Sequence, residues 1–153
     1  MDAPRFEPQD SGYTERIRAS FAQQGAMRTI GAALAEVAPG RVVIEMPWQE
    51  AVTQQHGFVH AGMLAAALDS ACGYAASTLM PADAGVLTIE FKINLLAPAA
   101  GERFRMEGAV IKPGRTITVT EGRAYAMQDG REKLVATMGA TLMTITGRQD
   151  IKH

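Results

Sequence analysis

Hydrophobic positions recur along this chain with two different periods. Tyr13, Ile17 and Phe21 fall four residues apart with charged residues between them, which predicts a short amphipathic helix from Tyr13 to about Gln24. Met27–Val37 and Arg41–Met46 flank Pro39-Gly40, a turn signal, and predict a first pair of strands. Trp48–Val59 has no clear period and is polar, with Gln54, Gln55 and His56 in succession. From His60 to about Leu79 the chain reads as one long helix, its apolar run interrupted by Asp69 and Ser70. A helix apolar on nearly every side must be enclosed by the rest of the protein. Pro81 is expected to end it.

Beyond Pro81 the period becomes two. In Leu87–Leu95 the odd positions are apolar and the even ones polar, the pattern of a strand with one face buried. Pro98–Gly101 breaks the run. Phe104, Met106 and Val110 then alternate with Arg103, Arg105 and Glu107 as far as a turn at Pro113-Gly114. Ile117 and Val119 open another strand, Asp129-Gly130 turns it, and Leu134–Ile145 closes the series. Four successive strands joined by short turns predict an antiparallel meander. The expected fold is α+β, a curved antiparallel sheet wrapped around a central long helix. Residues 1–12 read as a flexible N-terminal arm, 13–146 as a single domain and 147–153 as a C-terminal tail.

Composition narrows this further. The chain's 153 residues suit one domain with a substantial core. Fifteen basic against sixteen acidic residues give a net charge of -1, which argues against nucleic acid or an anionic membrane as partner. A hydrophobic share of 47% with 20% charged residues excludes global disorder. The lone Cys72 excludes an intrachain disulfide and a cysteine zinc cage. Charges from Asp2 to Arg18 leave no room for a signal peptide, and the apolar run Ala61–Leu68 is too short to span a bilayer. A soluble, cytoplasmic protein is expected.

The candidate chemistry centres on Asp69. A carboxylate inside an apolar helix carries a desolvation cost, so it needs a partner, a water-filled pocket or a task. Helical spacing sets Gly62, Ala65, Ala66, Cys72, Gly73 and Ala76 around it, all small, while Leu64, Leu68 and Leu79 fall on another face. A structural carboxylate held by backbone donors or an arginine is the alternative. His60 stands where the helix begins, followed by Ala61 and Gly62. Unpaired N–H groups and the positive dipole end there suit an oxyanion or a polarised carbonyl, and a plain capping histidine fits equally. A metal triad of His56, His60 and Asp69 is a minor alternative, because His56 lies in the irregular segment and not at helical spacing from His60, and no metal is expected. Cys72, beside a carboxylate and in apolar surroundings, reads as a core residue. Thr88 and Asn94 lie on the polar side of the first long strand. Lys112-Pro113-Gly114-Arg115 is a basic turn, ordinarily solvated, that could also meet a phosphate.

The segment QQHGFVHAGMLAAALDSACGYAA, followed by VLTIEFKINLLAPA and PGRTITVTE, resembles the hotdog-fold acyl-CoA thioesterases of the phenylacetate-pathway type, within the 4-hydroxybenzoyl-CoA thioesterase-like superfamily. The resemblance runs from about Met27 to Ile145. It implies that Asp69 is the general base or nucleophile toward a thioester, and that the Ala61 N–H polarises its carbonyl with help from Gln54. It further implies that Thr88 orients the attacking water and that Arg115 meets the coenzyme A phosphates, with His60 and Gly62 at the substrate. Two departures stand out. His-Ala-Gly replaces the family's His-Gly-Gly, adding a methyl group beside the carbonyl site, and Gln54 replaces an asparagine, which leaves Gln55 and His56 as competitors for its role.

The implied reaction is hydrolysis of an acyl-CoA to a free acid and coenzyme A, with no cofactor. A hydratase or dehydratase of acyl-CoA and a non-catalytic acyl-CoA sensor are the rivals. Ala61 and Asp69 are eight residues apart, or about 12 Å along a helix axis. Both cannot serve one reacting carbon. Active sites shared across a homodimer are therefore expected, with a tetramer built as a dimer of dimers also open.

Overall fold

A computed structural model of the protein describes residues 4–151. The long helix, here α3 (Ala61–Ser77), runs through the middle of the domain. His60 caps its start in an extended conformation, and its Nδ1 accepts a 2.8 Å hydrogen bond from the Gly62 N–H. The helix stops at Ser77, short of the expected end at Leu79. Carbonyls at its end and just beyond it are taken up by side chains from elsewhere: Arg16 donates to Ser77 O at 3.1 Å and Met80 O at 3.3 Å, and Gln9 donates to Leu79 O at 2.8 Å. Pro81 follows after this polar clamp.

Two short helices precede the sheet, α1 (Tyr13–Ala22) and α2 (Gly25–Thr29). The second corrects the expected strand from Met27. Only β1 (Ala33–Ala38) is extended there, and it turns through Pro39-Gly40 into β2 (Arg41–Pro47). Met27 and Ile30 are buried, so their apolar character reflects helical packing against the core.

Four further strands follow α3: β3 (Gly85–Leu95), β4 (Arg103–Lys112), β5 (Ile117–Gln128) and β6 (Arg131–Ile145). All pairings are antiparallel, in the order β1-β2-β4-β5-β6-β3. The α+β class and the sheet around a central helix stand as expected. The meander covers only β4, β5 and β6. β3 crosses to the far side and forms an edge, because β2 already occupies the side of β4 where β3 was expected.

The helix lies unusually close to the sheet. A Cβ on Gly108 would sit 2.3 Å from the Ala71 carbonyl, and one on Gly122 would meet the Cys72 Sγ at 3.0 Å. Thr118, Thr120, Ala124 and Ala126 continue this buried small-residue face of β5. Ile117 and Val119 consequently point outward, each at least two-fifths exposed, the reverse of what their hydrophobicity suggests. Bulk is excluded where helix and strand backbones approach.

β3 departs most from its pattern. Leu87, Ile89, Phe91 and Leu95 are all exposed, so the expected buried face is not covered within one chain. The register slips between Thr88 and Glu90. Thr88 pairs with Leu142 and Phe91 with Ala140, both partners buried, so an even and an odd position share the helix-side face across the bulge.

The first segment is less free than expected. Phe6 packs over Gly40, where a Cβ would come within 2.5 Å of its ring, and Asp10 pairs with Arg16. Residues 1–3 lie outside the described residues. Of the tail, Ile151 closes against Gly85, and residues 152 and 153 lie outside the described residues. Among the described residues no helix is long and apolar enough to cross a membrane.

Candidate active site

Asp69 sits in the middle of α3, half-buried, facing β3. The Thr88 hydroxyl donates to its Oδ1 at 2.8 Å, and Oδ2 takes no partner among the described residues. Burial holds the Asp69 carboxyl above the ordinary aspartate range, and the Thr88 hydrogen bond pulls the other way. Both residues line a cavity of about 360 Å³. Gly73, one turn beyond Asp69, opens that cavity: a Cβ there would meet nothing within 4 Å. Cys72 and Ala76, which spacing grouped with Gly73, are turned into the core instead. The Cys72 thiol is pushed up to about 12, first by burial, which suits a core residue and not a nucleophile.

The second group singled out by the sequence is at the helix start. The Gly62 N–H goes to His60 Nδ1, and the Met63 and Leu64 N–H groups go to the His60 carbonyl. The Ala61 N–H is left without a partner among the described residues, at the positive end of α3. It borders a larger cavity of about 610 Å³, together with Gln54, His60, Leu64 and the apolar stretch Leu95-Leu96. Gln54 thus shares a cavity with Ala61, and its Oε1 accepts from the His56 N–H. Gln55 lines the same cavity, whereas His56 faces a different hollow beside Trp48. Among the described residues no three His, Cys, Asp or Glu side chains converge.

The two cavities share no lining residue. Within one chain the acid and the free N–H therefore face separate spaces. Arg115 joins neither. It lies on the β4–β5 turn, beside Leu79 and Met80 at the opposite end of α3 from Ala61.

Residues 56–133, half of the chain, match the Thioesterase superfamily. The chain belongs to that family. A thioesterase family protein from Silicibacter pomeroyi, solved by crystallography, is 55% identical with a TM-score of 0.88, covering 89% of this chain and 100% of that one. The PaaI protein of the Escherichia coli phenylacetic acid degradation operon is 21% identical with a TM-score of 0.77, covering 88% of this chain and 94% of that one. At that identity the likeness is one of fold, and it is the hotdog fold. A Saccharolobus solfataricus relative named "Putative esterase" is 40% identical over 82 residues, 54% of this chain. The match takes in 58% of that relative's own length, less than two thirds.

For a thioesterase-superfamily chain, one part of the Asp69 cavity was not foreseen from the sequence. Gln24, Ser70 and Tyr74 line it and are joined by hydrogen bonds. Ser70 and Tyr74 could have been suspected from their nearness to Asp69 on one helix. Gln24 could not, since it lies 46 residues before Ser70 at the end of another helix.

Proposed function

We propose that the protein is an acyl-CoA thioesterase whose active sites each combine the helix start of one chain with the acid of another. Family membership supports thioester hydrolysis in general. The observation that carries the finer reading is the placement of the unpaired Ala61 N–H and the Asp69 carboxylate in separate cavities along one rigid helix. A reacting carbonyl needs both groups within about 3 Å. A second chain can bring them together.

β3 is the surface through which this happens. It is an edge strand of the sheet and carries four exposed apolar side chains, and the β3 of a second chain would pair along that edge. In the resulting site the thioester oxygen lies on the Ala61 N–H, with Gln54 beside it. Such a donor lowers the barrier by about 3–4 kcal/mol. Water attacks the carbonyl carbon, Asp69 Oδ2 takes its proton, and the C–S bond breaks as the tetrahedral intermediate collapses. The proton passes to the departing thiolate, so acid and thiol leave with Asp69 restored. Direct attack by Asp69, followed by hydrolysis of the anhydride, uses the same groups. Thr88 holds Oδ1 and thereby aims the other oxygen in either route.

A hydratase would use a histidine as acid or base. Among the described residues no histidine lines the cavity of Asp69, which favours the hydrolase. Release of free thiol from a panel of acyl-CoA thioesters, followed with DTNB, tests the reading. Thiol release is expected. Hydration of an enoyl-CoA without thiol release, or tight binding of acyl-CoA without turnover, overturns it.

A further inference from the structure

The back of the Asp69 cavity is polar, and nothing in the proposed hydrolysis uses it. The Gln24 carboxamide bridges two side chains of α3. Its Nε2 donates to the Tyr74 hydroxyl at 2.9 Å, and its Oε1 accepts from the Ser70 hydroxyl at 3.3 Å. The Tyr74 hydroxyl also shares a 3.1 Å hydrogen bond with Ser20 of α1, and the Tyr74 ring packs against Phe21 at 5.9 Å. Two contacts fix the amide plane, yet one N–H and one lone pair of Gln24 have no partner among the described residues. Gln24 lines the space that holds Asp69.

From this we infer that Gln24 is a specificity-determining residue: it selects acyl groups bearing a hydrogen-bonding substituent, such as a hydroxyl, over the bare hydrocarbon chain. The inference rests on the thioesterase reading for which end of the substrate enters. Of the two arms leaving the thioester carbonyl, the coenzyme A arm must run out to solvent with its nucleotide. Tyr74 is only 3% exposed and its ring packs against Phe21, so on this side the cavity is backed by packed side chains that this arm cannot pass. The acyl arm terminates there. A hydroxyl on that arm can accept from the spare N–H of Gln24 and donate to its spare lone pair. The amide is already held in place, so little side-chain entropy is lost when the bond forms. A plain alkyl chain displaces water from both groups and returns nothing. Sites built to bond a hydroxyl discriminate strongly against its absence for that reason.

The test compares hexanoyl-CoA with its 3-, 4-, 5- and 6-hydroxy analogues, in the wild type and in Gln24→Met, which keeps an unbranched chain of similar length. In the wild type at least one hydroxyacyl thioester should exceed hexanoyl-CoA about tenfold in kcat/KM. In Gln24→Met that ratio should fall to within about threefold. Tyr74→Phe, which frees the amide to turn, should reduce the ratio part of the way. No preference in the wild type for any analogue overturns the inference without any variant having to fold. A ratio unchanged in a folded Gln24→Met overturns it too. Equilibrium binding of the same five thioesters separates this from the activity itself. Absent hydrolysis with hydroxyl-selective binding that Gln24→Met abolishes sinks the thioesterase reading and keeps the selectivity. Hydrolysis of hexanoyl-CoA with no selectivity does the opposite.

Discussion

The Thr88 hydroxyl reaches Asp69 Oδ1 at 2.8 Å from the last residue before the β3 bulge, tying the acid of the central helix to the edge strand. This one bond decides several properties of the site. It opposes the burial that raises the Asp69 carboxyl, and it leaves Oδ2 for chemistry.

Replacing Asp69 by asparagine keeps shape and the Thr88 contact while removing the base. Turnover should fall at least about a hundredfold. Because burial penalises the charged form, the same variant should melt at a higher temperature than the wild type near neutral pH. Rates within a few-fold of wild type in the DTNB assay would move the chemistry to another group.

The acid limb of kcat/KM should lie above the ordinary aspartate range, since activity needs Asp69 ionised and burial raises its carboxyl. Thr88→Val removes the hydrogen bond that lowers it. The limb should then move further up in pH, an effect separable from any drop in the plateau. A limb that moves down, or stays where it was, would detach Asp69 from the titration.

Sharing of sites can be tested by complementation. His60 holds φ -60 and ψ 136, a conformation that a following proline accepts, and Ala61 is the first helical residue, where proline is tolerated. Ala61→Pro thus removes the free N–H without breaking α3. Refolded together at equal concentration, Ala61→Pro and Asp69→Asn should place half of all dimers in hybrid form, each with one intact site. Activity should recover to about a quarter of wild type, given random pairing and independent sites. Hybrids seen by native mass spectrometry but inactive would refute sharing.

Arg16 is the clamp on the far end of the same helix. Its guanidinium, with the side chain only 8% exposed, bonds Ser77 Oγ and two backbone carbonyls while pairing with Asp10. Arg16→Ala strands those carbonyls and should lower stability by about 3 kcal/mol in urea unfolding. A loss below 1 kcal/mol, measured the same way, would mean water replaces it freely.

Arg115 stands apart from both cavities within one chain, on an exposed turn. If it meets the phosphates of coenzyme A, Arg115→Ala should raise KM for acyl-CoA more than it lowers kcat, and should spare a short thioester lacking the nucleotide. Equal effects on both substrates would leave it a structural turn residue.

How much of this was legible in the sequence follows from the range of the interactions involved. A carboxylate in an apolar helix marks itself by local contrast, so Asp69 stood out, and His60-Ala61-Gly62 announced a helix start by residue type alone. The alternation of β3 and the turns at Pro113-Gly114 and Asp129-Gly130 are equally local, and each element appeared near its expected place. Strand order was not local. Placing β3 beside β6 depends on β2 having taken the edge of β4, which no period records. Ile117 and Val119 open β5 as expected, but they face outward, because backbone contact at Gly108 and Gly122 admits only small side chains beneath the helix. The bulge after Thr88 shifted the faces of β3 by one residue, turning an even position toward Asp69. Gln24 entered the cavity only because α1 packs its last turn on Tyr74. Local chemistry named the acid and the helix start, and long-range packing decided what surrounds each of them and which spaces they face.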